Sequence, residues 1–569
     1  MPYNPQNPLI VQSDRTVLLE VDSPLYEGAR DALASFAELE KSPEHIHTYR
    51  ITPLSLWNAA AAGMEVGDIL DALDEYTKYD VPQNIIAEII DYVSRYGRVK
   101  LMKHADLNPD RAGDHDLVLH AEDPVLMAEI AHSESVKNLL GKQVDPQTVS
   151  VPYQLRGHIK QALIKIGFPV EDLAGYVSGS YLEIAPRPTT LSGTDFNLRD
   201  YQRDAAEVFH LGGDVRGGSG VIVLPCGAGK TIVGLGILFE TKCHTLILST
   251  NTIAVRQWID EFLDKTTIAP EEIGEYTSDR KEIRPITVTT YQILTYRRRK
   301  SEDFVHLGLF SEMDWGLIIY DEVHLLPAPV FRMTAEIQGK RRLGLTATLV
   351  REDGREDDVF SLIGPKKYDV PWRELEQQGW IATAECTEIR VDLPEHLRMS
   401  YAVASARQKF RIASENPDKF PVVCELIERH EGDQILVIGQ YIEQLKEIAT
   451  SLNAPLIMGQ TPNRERGELY EQFRQGEIKL LVVSKVANFA IDLPDANVAI
   501  QISGTFGSRQ EEAQRLGRIL RPKTDGSLAH FYSIVTRDSR DQEFAINRQL
   551  FLTEQGYRYT IRYGHEYTP

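Results

Sequence analysis

The chain has 569 residues, 42% of them hydrophobic and 25% charged, with a formal net charge of −21 at pH 7. That length divides into roughly three to five domains at ~100–200 residues each, and the composition is that of globular domains with room for large cores. The charge excludes adhesion of the whole surface to polyanions, although a local basic track would still hold one. No apolar run approaches the ~20 residues of a membrane span, and Met1-Pro-Tyr-Asn-Pro-Gln-Asn7 is not a secretory leader. The four cysteines, Cys226, Cys243, Cys386 and Cys424, form no CxxC pair. A reduced, cytoplasmic setting without disulfides or a zinc cluster is expected.

Residues 1–105 read as a mixed α+β domain. Short β runs flank the turn at Ser13-Asp-Arg15, helical patterns follow at 54–62, 66–79 and 83–96, and 98–103 is a strand. Three helices and then a strand give a winged-helix-like expectation. The third helix carries Glu88, Asp91 and Arg95, an acidic surface better suited to packing or protein contact than to phosphate. His45 and His47 share one strand face, but no third metal ligand accompanies them. The loop Asp106-Leu-Asn-Pro-Asp-Arg-Ala-Gly-Asp114 has Arg111 and Leu117 where a calcium loop needs Gly and Glu, so it reads as a polar turn. Residues 106–187 form a second small α+β domain, with a strand at 148–153 and a helix at 156–166, and 186–194 is a linker.

From about 195 to 555 the character changes. Apolar β-branched runs (Val221-Ile-Val-Leu224, Thr245-Leu-Ile-Leu248, Gly316-Leu-Ile-Ile-Tyr320, Ile435-Leu-Val-Ile438, Leu480-Leu-Val-Val483) alternate with helical patterns. This rhythm predicts an α/β fold of parallel sheets covered by helices. The strands are too many for one sheet, so two lobes are expected, 195–365 and 366–569, with a helical pair inserted in the second at about 393–416.

The run Leu224-Pro-Cys-Gly-Ala-Gly-Lys-Thr231 follows a strand and opens a helix. Its glycines let backbone N–H groups close around phosphate oxygens, Lys230 adds a cation, and Thr231 offers a hydroxyl to Mg²⁺. Leu224 stands where the full P-loop pattern has glycine. Gly316–Tyr320 then delivers Asp321-Glu-Val-His324 at a strand's carboxyl end, where parallel sheets place ligand groups. Asp321 can hold the metal through water, and Glu322 can deprotonate the attacking water. Arg342-Leu-Gly-Leu-Thr-Ala-Thr348 ends in two threonines, as an ordinary strand end or as a hydroxyl relay between lobes. On a helix of the second lobe, Gln514-Arg-Leu-Gly-Arg-Ile-Leu-Arg521 sets Arg518 and Arg521 on one face, as fingers reaching across a cleft to the γ-phosphate.

Two stretches stand out against the acidic background. Thr290-Tyr-Gln-Ile-Leu-Thr-Tyr-Arg-Arg-Arg-Lys300 interleaves tyrosines with cations and reads either as a DNA-phosphate track through Tyr291, Arg297 and Arg298 or as a solvated loop. The helical pair at 393–416 carries Arg398, Arg407, Lys409 and Arg411 against few acids.

Read together, Pro-Cys-Gly-Ala-Gly-Lys-Thr231, Asp321-Glu-Val-His324, Leu-Thr-Ala-Thr-Leu-Val-Arg-Glu-Asp353 and Gln514–Arg521 resemble the superfamily-two helicases, and among them the XPB (xeroderma pigmentosum group B) family in a prokaryotic form. The specific mark is Arg351-Glu352-Asp353, a hallmark of that family implicated in unwinding. The resemblance also takes in Ser484–Ala496, 551–557 and the stretch His45–Leu101. It implies two RecA-like lobes preceded by two smaller domains, and a 3'-5' DNA helicase using ATP and Mg²⁺ in DNA repair. By the same resemblance Gln202 contacts adenine; Cys226, Gly227, Ala228, Gly229, Lys230 and Thr231 hold phosphates and metal; and Asp321 and Glu322 serve metal and water. Asp492 approaches the nucleotide from the second lobe, and Gln514, Arg518 and Arg521 complete the site. The inserted helices match the family's DNA-gripping thumb, with Arg407, Lys409 and Arg411 as contacts, and 106–187 occupies the position of its damage-recognition domain. The implied partners are single-stranded and forked DNA and a nuclease, with no membrane. Two other readings share the motor motifs: a duplex translocase without processive unwinding, and an ATP-gated interaction protein.

Overall fold

The computed structural model describes residues 4–41, 45–107, 117–225, 228–298, 304–347, 356–370, 375, 378, 384–484, 496–503, 529–554 and 558–567. Two all-parallel seven-stranded sheets organise its C-terminal two thirds. The first runs, in spatial order, Ile273–Tyr276, Ile286–Thr290, Thr245–Ser249, Leu317–Asp321, Arg341–Thr346, Ser219–Val223 and Lys366–Asp369. The second runs Leu456–Ile457, Leu480–Ser484, Ile435–Gly439, Val498–Gln501, Ala529–Thr536, Ala384–Val391 and Arg558–Tyr563. Strands that are apolar on both faces need cover on both: Lys230–Thr241 and Thr252–Lys265 pack over Ile222, Ile247, Leu317 and Ile319, and Ala328–Glu336 and Glu356–Leu362 share the opposite cluster with Val221 and Leu246. These are the two RecA-like lobes. The helical insertion is present as Glu395–Val403 and Ala406–Ser414, between the strands Ala384–Val391 and Ile435–Gly439. Lys366–Asp369 pairs in parallel with Ser219–Val223, so the first lobe's sheet extends past the expected boundary at 365.

Before them lie two smaller sheets. Leu9–Val11, Thr16–Glu20, Ile46–Arg50 and Glu38–Lys41 form an antiparallel sheet, in that order. Its core is Val17, Leu19, Leu56, Ile69, Leu73, Ile85 and Ile89, drawn partly from helices Pro53–Ala61, Val66–Tyr76 and Gln83–Arg95. A helix that the sequence reading passed over, Tyr26–Ala34, joins that core through Ala29 and Leu33. The winged-helix expectation is corrected by the strand Val99–Lys103. It pairs antiparallel with Leu117–Ala121 and parallel with Val170–Asp172, which makes it a member of the second, five-stranded sheet. Its buried Val99 and Leu101 sit in one core with Leu117, Leu119, Ile159 and Leu163, so the first unit ends before 99 rather than at 105.

Both small units are fastened to the first lobe. Gln161 Nε2 donates to Asp358 Oδ1 at 2.6 Å, and Asn58 Oδ1 accepts the Lys366 N–H at 2.8 Å. Trp57, Ile164 and Phe360, one from each unit, make a shared apolar cluster. The stretch expected as a linker is strapped down as well. Arg187 N donates to Lys265 O at 2.8 Å, and Leu191 N to Asp264 O at 3.0 Å. Among the described residues no helix is long and apolar enough to cross a membrane.

Candidate active site

The strand Ser219–Val223 runs into Leu224, which is fully buried, and the chain then turns into the helix Lys230–Thr241. Gly229 caps that helix at φ 80°, a left-handed geometry that favours glycine. A Cβ at this position would lie 2.6 Å from Gln202 Nε2. The turn is held from below: the Tyr201 hydroxyl donates to Ala228 O at 2.6 Å, and Gln202 Nε2 donates to the same carbonyl at 3.1 Å. Gln202 Oε1 accepts from Arg199 N at 3.1 Å, and the side chain is almost wholly buried. Gln202, assigned to adenine by resemblance, braces this turn, with both ends of its carboxamide engaged.

Lys230, at the start of the helix, forms an ion pair with Glu322 Oε1, with side-chain exposures of 13% and 10%. A pair that dry is scarcely screened. Glu322 adopts φ 53°, a left-handed conformation that costs a non-glycine residue ~1–3 kcal/mol and tends to mark functional positions. Asp321 closes the strand Leu317–Asp321; its Oδ2 accepts from Ser249 Oγ at 3.0 Å and from Trp258 Nε1 at 3.1 Å. Burial, and next the charge of Glu322, push its carboxyl above the usual range, while Lys230, Trp258 and Ser249 pull it back. The Asp321 carboxyl and the Thr231 hydroxyl are hard oxygen donors of the kind that could hold Mg²⁺.

Behind the pair, His324 Nδ1 lies 2.6 Å from Thr346 Oγ1, at the end of the strand Arg341–Thr346, and 3.6 Å from Glu322 Oε2. Both His324 and Thr346 are buried. Thr346 therefore touches the acidic motif, whereas Thr348 lies outside the described residues. Cys226, Gly227, Arg351, Glu352, Asp353, Asp492, Gln514, Arg518 and Arg521 lie outside them too.

The DNA-track residues divide. Tyr291 is 5% exposed and its hydroxyl donates to Asp321 O at 2.8 Å, so it is a brace for the acidic motif and presents no face to a DNA strand. Arg297 and Arg298 are exposed, as is Tyr296. On the inserted helices Arg407 is exposed, Lys409 Nζ lies 5.6 Å from the centre of the Tyr401 ring, and Arg411 is paired with Glu415 at 2.7 Å. Ser249, Trp258 and His324 were not assigned a role from the sequence. The one local signal for Trp258 is Gly234, where a Cβ would lie 2.5 Å from the indole.

Residues 375–565 match the model "ERCC3/RAD25/XPB C-terminal helicase", 195–351 match "Type III restriction enzyme, res subunit", and 9–145 match "Helicase conserved C-terminal domain". The chain is 56% identical over 555 residues to "DNA 3'-5' helicase XPB" of Mycobacterium tuberculosis, covering 98% of this chain and 97% of that protein. It is 53% identical to the protein of the same name from Kineococcus radiotolerans, covering 97% and 96%. It is 35% identical to "General transcription and DNA repair factor IIH helicase/translocase subunit XPB/SSL2" of Saccharomyces cerevisiae, over 98% of this chain and 72% of that one. An identity above one half, sustained across both small units and both lobes, is a family relationship: the chain belongs to the XPB family of helicases.

Proposed function

We propose that the chain is an ATP-dependent 3'-5' DNA helicase of DNA repair, working as four parts: two N-terminal units, an ATP-binding lobe and a second lobe carrying a thumb. The observation that carries this reading is the convergence of Lys230, Asp321 and Glu322 at the carboxyl ends of the first lobe's strands, in a chain 56% identical to a protein named for that activity. The N–H groups at the start of Lys230–Thr241 and the Lys230 ammonium bind the phosphates. Glu322 takes the proton of the attacking water. Mg²⁺, held by Thr231 and Asp321, supplies charge neutralisation on the phosphates when bound. Arg518 and Arg521 complete the site from the second lobe, so hydrolysis depends on closure of the two lobes, with Asp492 and Gln514 beside them. DNA runs past Arg297, Arg298, Arg407 and Lys409, with Arg411 contributing less because Glu415 already balances it, and Arg351-Glu352-Asp353 act in strand separation. A cytoplasmic location and a nuclease partner belong to the same reading.

The name "helicase/translocase" borne by the yeast relative favours a second reading, a duplex translocase. The deciding experiment measures ATP turnover with no DNA, single strands, duplex and forks, together with displacement of strands from forks tailed at either end. DNA-stimulated turnover and displacement from 3'-tailed forks support the helicase. Duplex-stimulated turnover without displacement supports the translocase, and DNA-independent turnover refutes both.

A further inference from the structure

We infer that the junction between the two N-terminal units and the first lobe is a binding site for a small polyvalent phosphate ligand. A cavity of about 220 Å³ opens there, with Tyr96, Lys160, Tyr176, Arg216, Phe360 and Lys367 in its walls. It is smaller than the ~300–1,000 Å³ that drug-sized ligands occupy, and suits an anion of the size of pyrophosphate.

The charge around it is lopsided. Asp172, on the inner wall, accepts from Arg156 at 2.8 and 3.1 Å and from Lys160 Nζ at 2.8 Å, all with side-chain exposures of 9% or less. Behind them Arg342 is fully buried, and its guanidinium is met by neutral oxygens: Leu362 O and Gln338 O, each at 2.7 Å, and Ser219 Oγ at 3.3 Å. The Tyr176 ring lies between the two guanidiniums, 5.3 Å from each. Two buried cations therefore share one carboxylate, and the third, Arg342, has only neutral oxygens as hydrogen-bond partners among the described residues. At the mouth, Arg216 meets Glu171 at 3.3 Å, and Lys367 has no ion-pair partner among the described residues. Lys160, Arg216 and Lys367 line the cavity against the carboxylates of Asp172 and Glu171, with Arg156 and Arg342 buried behind the wall, in a chain whose net charge is −21.

An excess of buried cations is relieved by loss of a proton or by an anion. The tension is visible at Lys160, pulled down to about 7 by burial, Arg342 and Arg156 against the opposing charge of Asp172, and at Lys367, pulled down by burial and by Arg216 against the opposing charge of Glu171. A guanidinium fork flanked by two ammonium groups matches a phosphate, with its several charged oxygens, better than a single carboxylate. Because the walls come from three units, such a ligand ties the N-terminal units to the first lobe.

Titration calorimetry of the full chain with inorganic pyrophosphate, without divalent cations, tests this. Two sites are expected in the parent, at the phosphate loop and at the junction, and one in Lys230→Ala. In the Lys230→Ala background, Lys367→Gln and Arg216→Gln should each weaken the remaining site at least tenfold, the loss of one charge-assisted bond. Arg216 has 63% of its side chain exposed, so its replacement keeps the test decisive even if Lys367→Gln fails to fold. The inference is overturned if Lys230→Ala binds no pyrophosphate, if a folded junction variant binds as tightly as its background, or if acetate binds the junction as well as pyrophosphate does.

Discussion

Ser249 lies at the end of the strand next to Asp321 and donates to its Oδ2 at 3.0 Å, sharing that oxygen with Trp258. Ser249→Ala removes one hydroxyl from a fully buried position and leaves the packing volume nearly unchanged. A hydrogen bond to a charged acceptor contributes about 1.5–3 kcal/mol, and loss of a partner that orients a metal-binding carboxylate costs ~10–100-fold in metal affinity. The two figures agree, since ~1.4 kcal/mol is tenfold. The Mg²⁺ concentration for half-maximal turnover should therefore rise ~10–100-fold in the variant. The pH dependence has a fixed sign. Burial and Glu322 already hold the Asp321 carboxyl up, and Ser249 opposes them. Without Ser249 the carboxyl rises further, so turnover, which needs the ionised form, starts to fall at a higher pH on acidification. Steady-state ATP turnover against Mg²⁺, repeated from mildly alkaline to mildly acidic buffers, reads both effects. An unchanged Mg²⁺ requirement with superimposed acid limbs would refute the assignment of Asp321 to the metal.

Glu322→Gln should lower the turnover number by ~10²–10⁴ while ATP binding, followed by fluorescent nucleotide titration, persists. Asp321→Asn should abolish turnover yet raise the unfolding temperature at neutral pH. The folded-state pKa of Asp321 is raised, so the stability it contributes is present below its unfolded value and lost as pH climbs through the folded one, a loss that asparagine removes; equal or lower stability at neutral pH counts against this. Tyr291→Phe should leave DNA affinity unchanged and cost ~0.5–1.5 kcal/mol of unfolding free energy. Reversing Arg297 and Arg298 together should weaken DNA binding and flatten its salt dependence.

Much of this site was legible because its residues sit where hydrophobic patterning stops. Val221–Leu224 and Gly316–Tyr320 read as buried strands, and the motifs at their carboxyl ends follow from the rules of parallel sheets. What the sequence hides is lateral. Ser249 and Trp258 are 72 and 63 residues from Asp321, and nothing in their neighbourhoods marks them as its partners. Tyr291 was misread because a phenol beside cations looks the same whether it faces solvent or a carbonyl. Val99–Lys103 was joined to the wrong unit for a related reason: alternation shows which residues point inward and says nothing of which strand lies alongside. Tyr26–Ala34 escaped because its glycine weakens the helical pattern; a Cβ at Gly28 would lie 2.9 Å from the Tyr76 hydroxyl oxygen.

The pairing of Lys230 with Glu322 bears on how the two halves of catalysis are ordered. In the proposed roles, the cation that would hold a phosphate is engaged with the carboxylate that would hold the water. A triphosphate, with several charges to offer, outcompetes one carboxylate for Lys230, and its arrival releases Glu322 to act as a base. The base thus becomes available when there is a phosphate to attack, and idle proton transfer is suppressed by the same contact. Glu322→Gln then does two things at once: it removes the base and frees Lys230 from a charged competitor. Slower turnover should come with tighter ATP binding, and an affinity equal to or weaker than the parent's would show that the pair has no part in admitting the nucleotide.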